Sequence, residues 1–366
     1  MRIAFLAPYS KEYFYKICGV LDLSVPGKEV WFFKDMPDPS VEVDVIGCLA
    51  TFTYKKRIPL VLLQVAGFIP SLRRYDAVIS AGFLNGIVLS GARKMLRLRK
   101  PVHIILDTRA IGVLGPGKPL ATRIARWLLE PVDGVVCFSR NHRDLWETQL
   151  GFRRKAVFSP WPMVQDLRQV SVSSGDYIFS GGSTRRDWQT LISAVESTNA
   201  RVTIVAGKDS ATGYYGLEGM EIPVNVSVFR SAPRETYSQL LAGCRFVVIP
   251  LQDVTTDVGW DTVSQAMTLG KAVITTAIPP MVDYIIDGET GVLVPPNNAS
   301  ELRERILLMM SRPEEALRIG ANAKRVMEET QSGRKATAEA VWSLLQACGA
   351  VSQRSCEMRH APITSQ

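Results

Sequence analysis

Apolar and polar positions alternate along the first half of the chain in a pattern that predicts strands and helices in turn. Short apolar runs bounded by Gly, Pro or polar residues predict six strands. These runs cover residues 2–7, 30–33, 43–46, 75–81, 102–107 and 134–139. Helical spacing appears between them, for example over residues 118–129. Because strands that alternate with helices need crossover connections, this half predicts an α/β domain with a parallel sheet.

The second half repeats the same alternation after a linker. A Pro-containing turn at 158–162 and a polar run at 170–175 predict the linker. Further strands are predicted at residues 177–180, 201–206, 224–229, 246–250, 272–275 and 292–294. Amphipathic helices are predicted at residues 299–310, 314–328 and 337–347. The second half therefore also predicts a doubly wound α/β domain.

The length of 366 residues fits two domains of about 100–200 residues each. We place the first domain at 1–165 and the second at 175–335. Residues 336–350 form a predicted C-terminal helix, and residues 351–366 a polar tail without periodicity that we expect to be disordered.

Composition predicts a globular protein of a reducing compartment. Hydrophobic residues make up 46% and charged residues 21% of the chain. The six cysteines show no Cys-x-x-Cys spacing and no nearby His cluster, so we interpret them as reduced thiols of a cytoplasmic protein without a zinc site. Residues 1–6 lead directly into Pro8 and charged residues, a pattern that does not predict a signal peptide.

The net charge of +8 is concentrated in one part of the first half. Residues 51–100 carry ten Lys or Arg residues and a single acidic one, Asp76. Between the basic clusters, residues 58–69 are apolar except for Gln64. This segment is either a core helix with a basic rim or a contact with an anionic membrane surface. We do not expect nucleic acid as a partner, because the basic cluster lacks interleaved aromatic residues.

One stretch in the second half predicts a phosphate site. Residues 255–260 form a Gly-containing loop, followed by a helix that Gly270 ends and by a buried strand at 272–275. Ligands of parallel sheets bind at the carboxyl ends of the strands, where helices begin. The unpaired N–H groups of a helix N-terminus suit a phosphate. The residues that would start this helix are Gly259, Asp261, Thr262 and Val263.

Residues 257–296 resemble the donor-sugar signature of the retaining GT-B glycosyltransferases of family 4, also called glycosyl transferases group 1. The matching positions are Asp257, Gln265, Ala266-Met267, Gly270-Lys271, Val273-Ile274 and Gly288 to Pro296. The resemblance implies two Rossmann-like, doubly wound domains that face a cleft. It also implies that Asp257 contacts the donor sugar and Gln265 the nucleotide ribose. Both family positions are usually Glu, so Gln265 replaces a carboxylate by an amide.

A second loop resembles the other family signature, in which a Gly-Arg loop precedes Lys-Gly and a helix. It follows the strand at 177–180 and contains Gly181, Gly182, Arg185 and Arg186, with Arg186 at the Lys position. A departing nucleoside diphosphate gains negative charge, which arginine can stabilise. By resemblance, Phe229 and Arg230 are candidates for contact with the nucleotide base. The alternative is a surface loop that happens to contain arginines.

Asp107 is the candidate catalytic residue of the first half. It ends a predicted strand and precedes Thr108-Arg109 and a Gly-rich loop at 112–117. Its carboxylate could orient or deprotonate an acceptor hydroxyl, or it could cap the next segment. Of the nearby histidines, we expect His103 in the core and His142 on the surface.

Together these features predict a glycosyltransferase that needs no cofactor or metal beyond its nucleotide-sugar donor. The arginines and the helix N-terminus would supply the positive charge. The acceptor would carry a hydroxyl and could be a lipid-linked glycan, which fits synthesis of a polysaccharide or glycolipid on the inner face of a membrane. The alternative is a protein of the same fold that binds sugar nucleotides or a membrane surface and has lost turnover.

Overall fold

The computed structural model describes residues 1–48, 57–107, 114, 118–163, 167, 170–209, 212–330 and 333–351. Several predicted features lie outside these residues. They are Lys55, Lys56, Thr108, Arg109, the loop at 112–117 apart from Leu114, and the tail from residue 352 onward.

The described chain contains twelve strands in two parallel sheets. The strands of the first sheet are β1 (Arg2–Leu6), β2 (Glu42–Ile46), β3 (Ala77–Ala81), β4 (Val102–Asp107), β5 (Gly134–Cys137) and β6 (Ala156–Phe158). Those of the second are β7 (Ile178–Gly182), β8 (Val202–Ala206), β9 (Val226–Arg230), β10 (Val247–Ile249), β11 (Val273–Thr276) and β12 (Val292–Val294). Their orders are β2-β1-β3-β4-β5-β6 and β12-β11-β10-β7-β8-β9, so the predicted doubly wound α/β class is confirmed.

Helices connect the strands of each sheet. The first part of the chain contains α1 (Lys11–Ile17), α2 (Arg57–Phe68), α3 (Phe83–Met95), α4 (Pro119–Leu129) and α5 (Arg140–Thr148). The second contains α6 (Trp188–Val195), α7 (Arg234–Gly243), α8 (Trp260–Thr268), α9 (Ala299–Ser311), α10 (Pro313–Glu329) and α11 (Arg334–Ala347). Short 3₁₀ helices lie at Gly27–Glu29, Trp31–Asp35, Ile69–Arg74 and Met281–Asp283.

The described chain forms two compact units. The first comprises residues 1–138, 142–159 and 335–366, and the second residues 139–141 and 160–334. Each has its own apolar core. Helix α11 packs on the first unit, where a Cβ on Gly134 of β5 would stand 3.0 Å from the Leu344 side chain. A bond of 2.9 Å between the Ser159 and Thr337 hydroxyls fixes the start of this helix.

Residues 30–33 are not the strand that the sequence predicts. Trp31–Asp35 is a 3₁₀ helix, and Trp31, Phe32 and Phe33 are all buried. A short apolar run predicts burial equally well for a strand and for a helical turn, so periodicity could not separate the two. The three rings pack on one another and on Phe5 of β1, which makes them part of the core.

The apolar segment at residues 58–69 forms most of helix α2. One face packs in the core through Val61, Val65 and Phe68, while Gln64 donates to the carbonyls of Ala7 at 3.0 Å and Ile46 at 2.8 Å. The opposite face is exposed and also apolar. In the part of the chain that the structure describes, no helix is both long and apolar enough to span a bilayer.

Candidate functional site

The loop after β7 holds a buried arginine at the carboxyl end of the second sheet. Arg186 is 8% exposed, and its Nε donates to the Gly181 carbonyl at 2.9 Å. Its Nη1 donates to the Thr184 carbonyl at 3.0 Å, and its Nη2 to Thr262 Oγ1 at 3.3 Å. All three acceptors are neutral oxygens. A guanidinium has five N–H donors, so one N–H on each terminal nitrogen has no partner among the described residues.

Glycine at positions 181 and 182 leaves the space that the Arg186 guanidinium and its neighbours occupy. Gly182 has φ +125°, and a Cβ there would overlap the Arg186 guanidinium. A Cβ on Gly181 would stand 2.5 Å from the Tyr237 hydroxyl and 2.8 Å from the Phe179 ring. The two glycines are therefore required by close packing around Arg186 and Tyr237.

Helix α8 begins beside Arg186 with an uncapped end. Its N-cap is Gly259, with φ 90° and ψ −21°, and glycine has no side chain to bond the first-turn N–H groups. Thr262 lies in this first turn and bonds both Arg186 and the Tyr237 hydroxyl, the latter at 3.0 Å. The N–H groups of the first helical turn and the positive end of the helix dipole therefore lie next to a guanidinium.

Burial controls the protonation of the groups around this point. Burial lowers the pKa of Arg186, but an arginine starts so high that it stays charged at neutral pH. Burial raises the pKa of Tyr237 to about 12, so its hydroxyl keeps its proton. Arg186 therefore brings a positive charge to the start of α8, whose first turn also carries Asp261. An anion there would meet donors on two sides.

Gln265 lies one turn further along α8. Its amide oxygen is buried and has no hydrogen-bond partner among the described residues. A buried acceptor without a partner costs about 1–3 kcal/mol of desolvation, so a ligand hydroxyl would relieve that cost. Asp261, one turn before it, is exposed, and its Oδ1 accepts from the Trp161 indole N–H at 3.2 Å. The Gln265 amide oxygen therefore has no partner among the described residues, whereas the Asp261 carboxylate is bonded to Trp161.

Three aromatic rings stand beside the start of α8. Trp161 stacks on Trp260 at 5.1 Å, and Trp260 stacks on Tyr284 at 5.9 Å. The Trp161 backbone N–H donates to the Tyr284 hydroxyl at 2.8 Å. Burial and the nearby charge of Asp257 raise the pKa of Tyr284 well above its ordinary value. Sequence reasoning missed this stack, because its members come from three separate segments.

Both carboxylate oxygens of Asp257 are buried in the loop that precedes α8. Its negative charge acts on Tyr284, which places it on the aromatic side of the helix start.

The remaining donor-site candidates lie at the surface of the second unit. Arg185 is exposed, and its Nη1 lies 3.5 Å from the Gln252 amide oxygen. Phe229 is 43% exposed at the end of β9, and Arg230 beside it is also exposed. Val263, by contrast, is fully buried, and its backbone N–H donates to the Gly259 carbonyl at 3.1 Å. Lys271 of the sequence signature is structural, because its buried ammonium donates to the carbonyls of Ser173 and Cys244.

Asp107 ends β4 in the first unit and is fully buried. The Trp146 indole N–H donates to its Oδ2 at 2.7 Å, and His142 Nδ1 lies 3.5 Å from the same oxygen. The prediction that His142 lies on the surface is wrong, because α5 turns it inward against Asp107, where it is fully buried. His103 is in the core as predicted, bonded to Ser80 Oγ at 2.9 Å. A direct contact of Asp107 with an acceptor stays a prediction.

No group of three His, Cys, Asp or Glu residues in the described ranges could hold a metal ion. The five cysteines in these ranges are free thiols.

Comparison with known proteins agrees with this arrangement. The family model of glycosyl transferases group 1 matches residues 183–326, which include Arg186 and helix α8. The match covers 144 of the 366 residues, and these residues are similar to a glycosyl transferases group 1 domain. The sequence-based resemblance to this family is thereby confirmed.

Two curated relatives match parts of the chain. An uncharacterized glycosyltransferase of Methanocaldococcus jannaschii is 22% identical over 200 residues, or 52% of this chain and 54% of that protein. The trehalose synthase of Pyrococcus horikoshii is 43% identical over 63 residues, or 17% of this chain and 15% of that protein. The first match thus spans about half the relative's length.

Solved structures match nearly the whole length of the chain. The Anabaena protein HepE in complex with UDP-glucose is 16% identical, with a TM-score of 0.67 over 96% of this chain and 100% of that one. A sucrose-phosphate synthase from Thermosynechococcus elongatus is 17% identical, with a TM-score of 0.66 and the same coverage. At this identity the likeness shows the fold, which is GT-B.

Proposed function

We propose that this chain is a retaining glycosyltransferase that moves a sugar from a nucleotide-diphosphate sugar to a hydroxyl acceptor. The observation that carries the proposal is the pairing of Arg186 with the uncapped start of α8. Two guanidinium N–H groups and the backbone N–H groups of Asp261 and Thr262 would donate to an anion there. A diphosphate provides oxygens for both sets of donors.

The reaction breaks the bond between the sugar C1 and the diphosphate oxygen, which keeps the electron pair. The acceptor oxygen forms the new bond to C1 and loses its proton. Negative charge grows on the departing diphosphate, so donors already aimed at it favour the transition state over the ground state. In this proposal Arg186, Arg185 and the N–H group of Thr262 hold the diphosphate. This positive charge makes a metal unnecessary for that step.

The other donor contacts follow from the side chains near α8. Gln265 would accept a hydrogen bond from a ribose hydroxyl through its buried amide oxygen. Asp257 would contact the sugar, and Phe229 and Arg230 would contact the base. HepE, which shares the fold, was solved in complex with UDP-glucose. We therefore include uridine diphosphate sugars among the first donors to test.

On the acceptor side, Asp107 is the proposed residue that orients or deprotonates the hydroxyl. Trp146 and His142 fix its carboxylate in place. A lipid-linked glycan acceptor, and with it a role in polysaccharide or glycolipid synthesis, belongs to the same proposal.

The proposal is tested by screening nucleotide sugars for thermal stabilisation of the whole chain, since a ligand of the native state raises stability by mass action. Nucleoside diphosphate release is then measured for the donors that bind. Arg303→Ala is the matched control for Arg186→Ala, because Arg303 also donates to neutral oxygens, the carbonyls of Ser193, Ala194 and Glu196. The proposal fails if no donor stabilises the protein or if stabilising donors release no nucleotide, with or without acceptor.

A second candidate is a protein of this fold that binds sugar nucleotides without turnover. The amide of Gln265 favours it, because the family resemblance places a carboxylate there and an amide offers one acceptor oxygen without charge. The two candidates differ in donor hydrolysis. An enzyme releases nucleotide slowly from its true donor, whereas a pure binder is stabilised by the donor and releases none.

A further inference from the structure

Helix α4 of the first unit carries an apolar stripe on its outer face. Leu120, Ile124 and Trp127 are 70%, 50% and 57% exposed. Their spacing of four and three residues places them on one face of a helix. The inner face is apolar as well, because Ala125 and Leu129 are buried in the core. The buried inner face already packs α4 on the core, so the outer apolar residues are not needed for that packing.

Trp127 is the clearest member of this stripe. All seven tryptophans lie within the described residues, and Trp127 is the one whose side chain is mostly in solvent. The Lys94 ammonium of α3 stands 4.7 Å from the centre of its ring. A ring that is apolar on its body and polar at its N–H suits the interface between lipid chains and headgroups.

Other exposed apolar residues lie on the helices that neighbour α4. The C-terminal end of α3 exposes Met95 by 78% and Leu96 by 55%. Helix α2, on the other side of α3, exposes Ile58 by 59%, Leu62 by 51% and Leu63 by 56%. Crossovers that proceed in one direction along a parallel sheet place their helices on the same face. The exposed residues on α2, α3 and α4 therefore share one side of the first unit.

The charges around these residues are almost all positive. Lys118, Arg123 and Arg126 are exposed on or beside α4, and Arg97, Arg99 and Lys100 follow α3. Arg73 and Arg74 follow α2. Among the described residues from 57 to 130, the acidic side chains are Asp76, the buried Asp107, and Glu130, which pairs with Lys94 at 3.2 Å. Basic residues around an exposed apolar stripe complement an anionic surface with an apolar layer beneath it.

We propose that the outer surface of α2, the end of α3 and α4 binds an anionic lipid bilayer, with Ile124 and Trp127 inserted at the headgroup level. The sequence offered residues 58–69 for this role as one of two alternatives, and the structure adds α4. The surface uses none of the donor-site residues. Binding would place the first unit at a membrane, where a lipid-linked acceptor is found.

The test is flotation of the full-length chain with vesicles of phosphatidylcholine alone or mixed with phosphatidylglycerol. We expect binding to the mixed vesicles at low salt and release as salt screens the arginines. Ile124→Ser combined with Trp127→Ser should weaken binding at least tenfold. Arg123→Gln and Arg126→Gln should each weaken it about fivefold. Leu317→Ser is the matched control, since Leu317 is 68% exposed on α10 and should leave binding unchanged.

Donor affinity is measured on the same variants and should be unchanged, so failure of the membrane proposal is separable from failure of the donor site. No binding to mixed vesicles at low salt overturns the proposal. So does equal binding by the Ile124→Ser, Trp127→Ser variant. A dimer in solution that this variant dissociates would instead make the surface an interface between copies of the chain.

Discussion

Gly182 and Arg186 compete for the same space, because any side chain at position 182 would overlap the Arg186 guanidinium. The guanidinium lies over the Gly181–Gly182 backbone and reaches Thr262 in the first turn of α8. One missing Cβ thus allows a charge from the β7 loop to reach a helix that begins 78 positions after Gly182 in the sequence.

Gly182→Ala should therefore weaken nucleoside diphosphate binding by displacing Arg186. We expect a loss of about 1.5–3 kcal/mol, the range for a hydrogen bond to a charged group. Calorimetric titration measures it. Gly288→Ala is the control, because Gly288 has φ +74° and open space around its Cβ position, so it carries the backbone strain without the collision. Equal affinity in the Gly182→Ala protein would remove Arg186 from the anion site.

Gln265→Glu should strengthen donor binding several-fold, since hydrogen bonds to charged groups exceed neutral ones by about 1 kcal/mol. Asp261 precedes it by four residues, and like charges at that spacing repel. The substitution is therefore made in both the natural chain and an Asp261→Asn background, where the gain should be larger. Weaker binding by Gln265→Glu together with damage from Asp261→Asn would mean that Asp261 contacts the ribose.

The raised pKa of Tyr237 predicts an alkaline effect on stability. The group ionises near 10 when unfolded and at about 12 when folded. Its contribution is therefore fully present below pH 10 and is lost as pH rises from 10 towards 12. Tyr237→Phe should lack this loss. Its free energy of unfolding should fall less steeply than that of the natural chain, by up to about 1.4 kcal/mol per pH unit.

Denaturant titrations at pH 9, 10.5 and 11.5 measure the difference between the two proteins. Tyr13→Phe is the comparison, because Tyr13 is 42% exposed. Parallel pH profiles for Tyr237→Phe and the natural chain would contradict burial of the Tyr237 hydroxyl.

The sequence predicted most strands and the two phosphate-type loops because these depend on local patterns. Buried parallel strands appear in the sequence as apolar runs. The glycines at 181, 182 and 259 lie where a side chain packs closely against the backbone. The strand predicted at residues 30–33 was wrong, because four apolar residues fit a 3₁₀ turn as well as a strand. These side chains could be buried in either conformation.

The parts that could not be predicted all depend on long-range packing. His142 follows polar residues that suggest a surface helix, yet its partner is Asp107, 35 positions earlier in the chain. The stack of Trp161, Trp260 and Tyr284 joins three segments. The apolar outer face of α4 was not predicted either, because helical spacing alone does not show which apolar residues face the core.

We propose that Arg186 and the start of α8 hold the diphosphate of a sugar donor during glycosyl transfer. The most direct measurement is the rate of nucleoside diphosphate release from the best-stabilising donor, compared among the natural chain, Arg186→Ala and Arg303→Ala. We expect the natural chain and Arg303→Ala to release nucleoside diphosphate. Arg186→Ala should lose at least tenfold in kcat/KM, which corresponds to about 1.4 kcal/mol. Release by folded Arg186→Ala at the rate of the natural chain would contradict it.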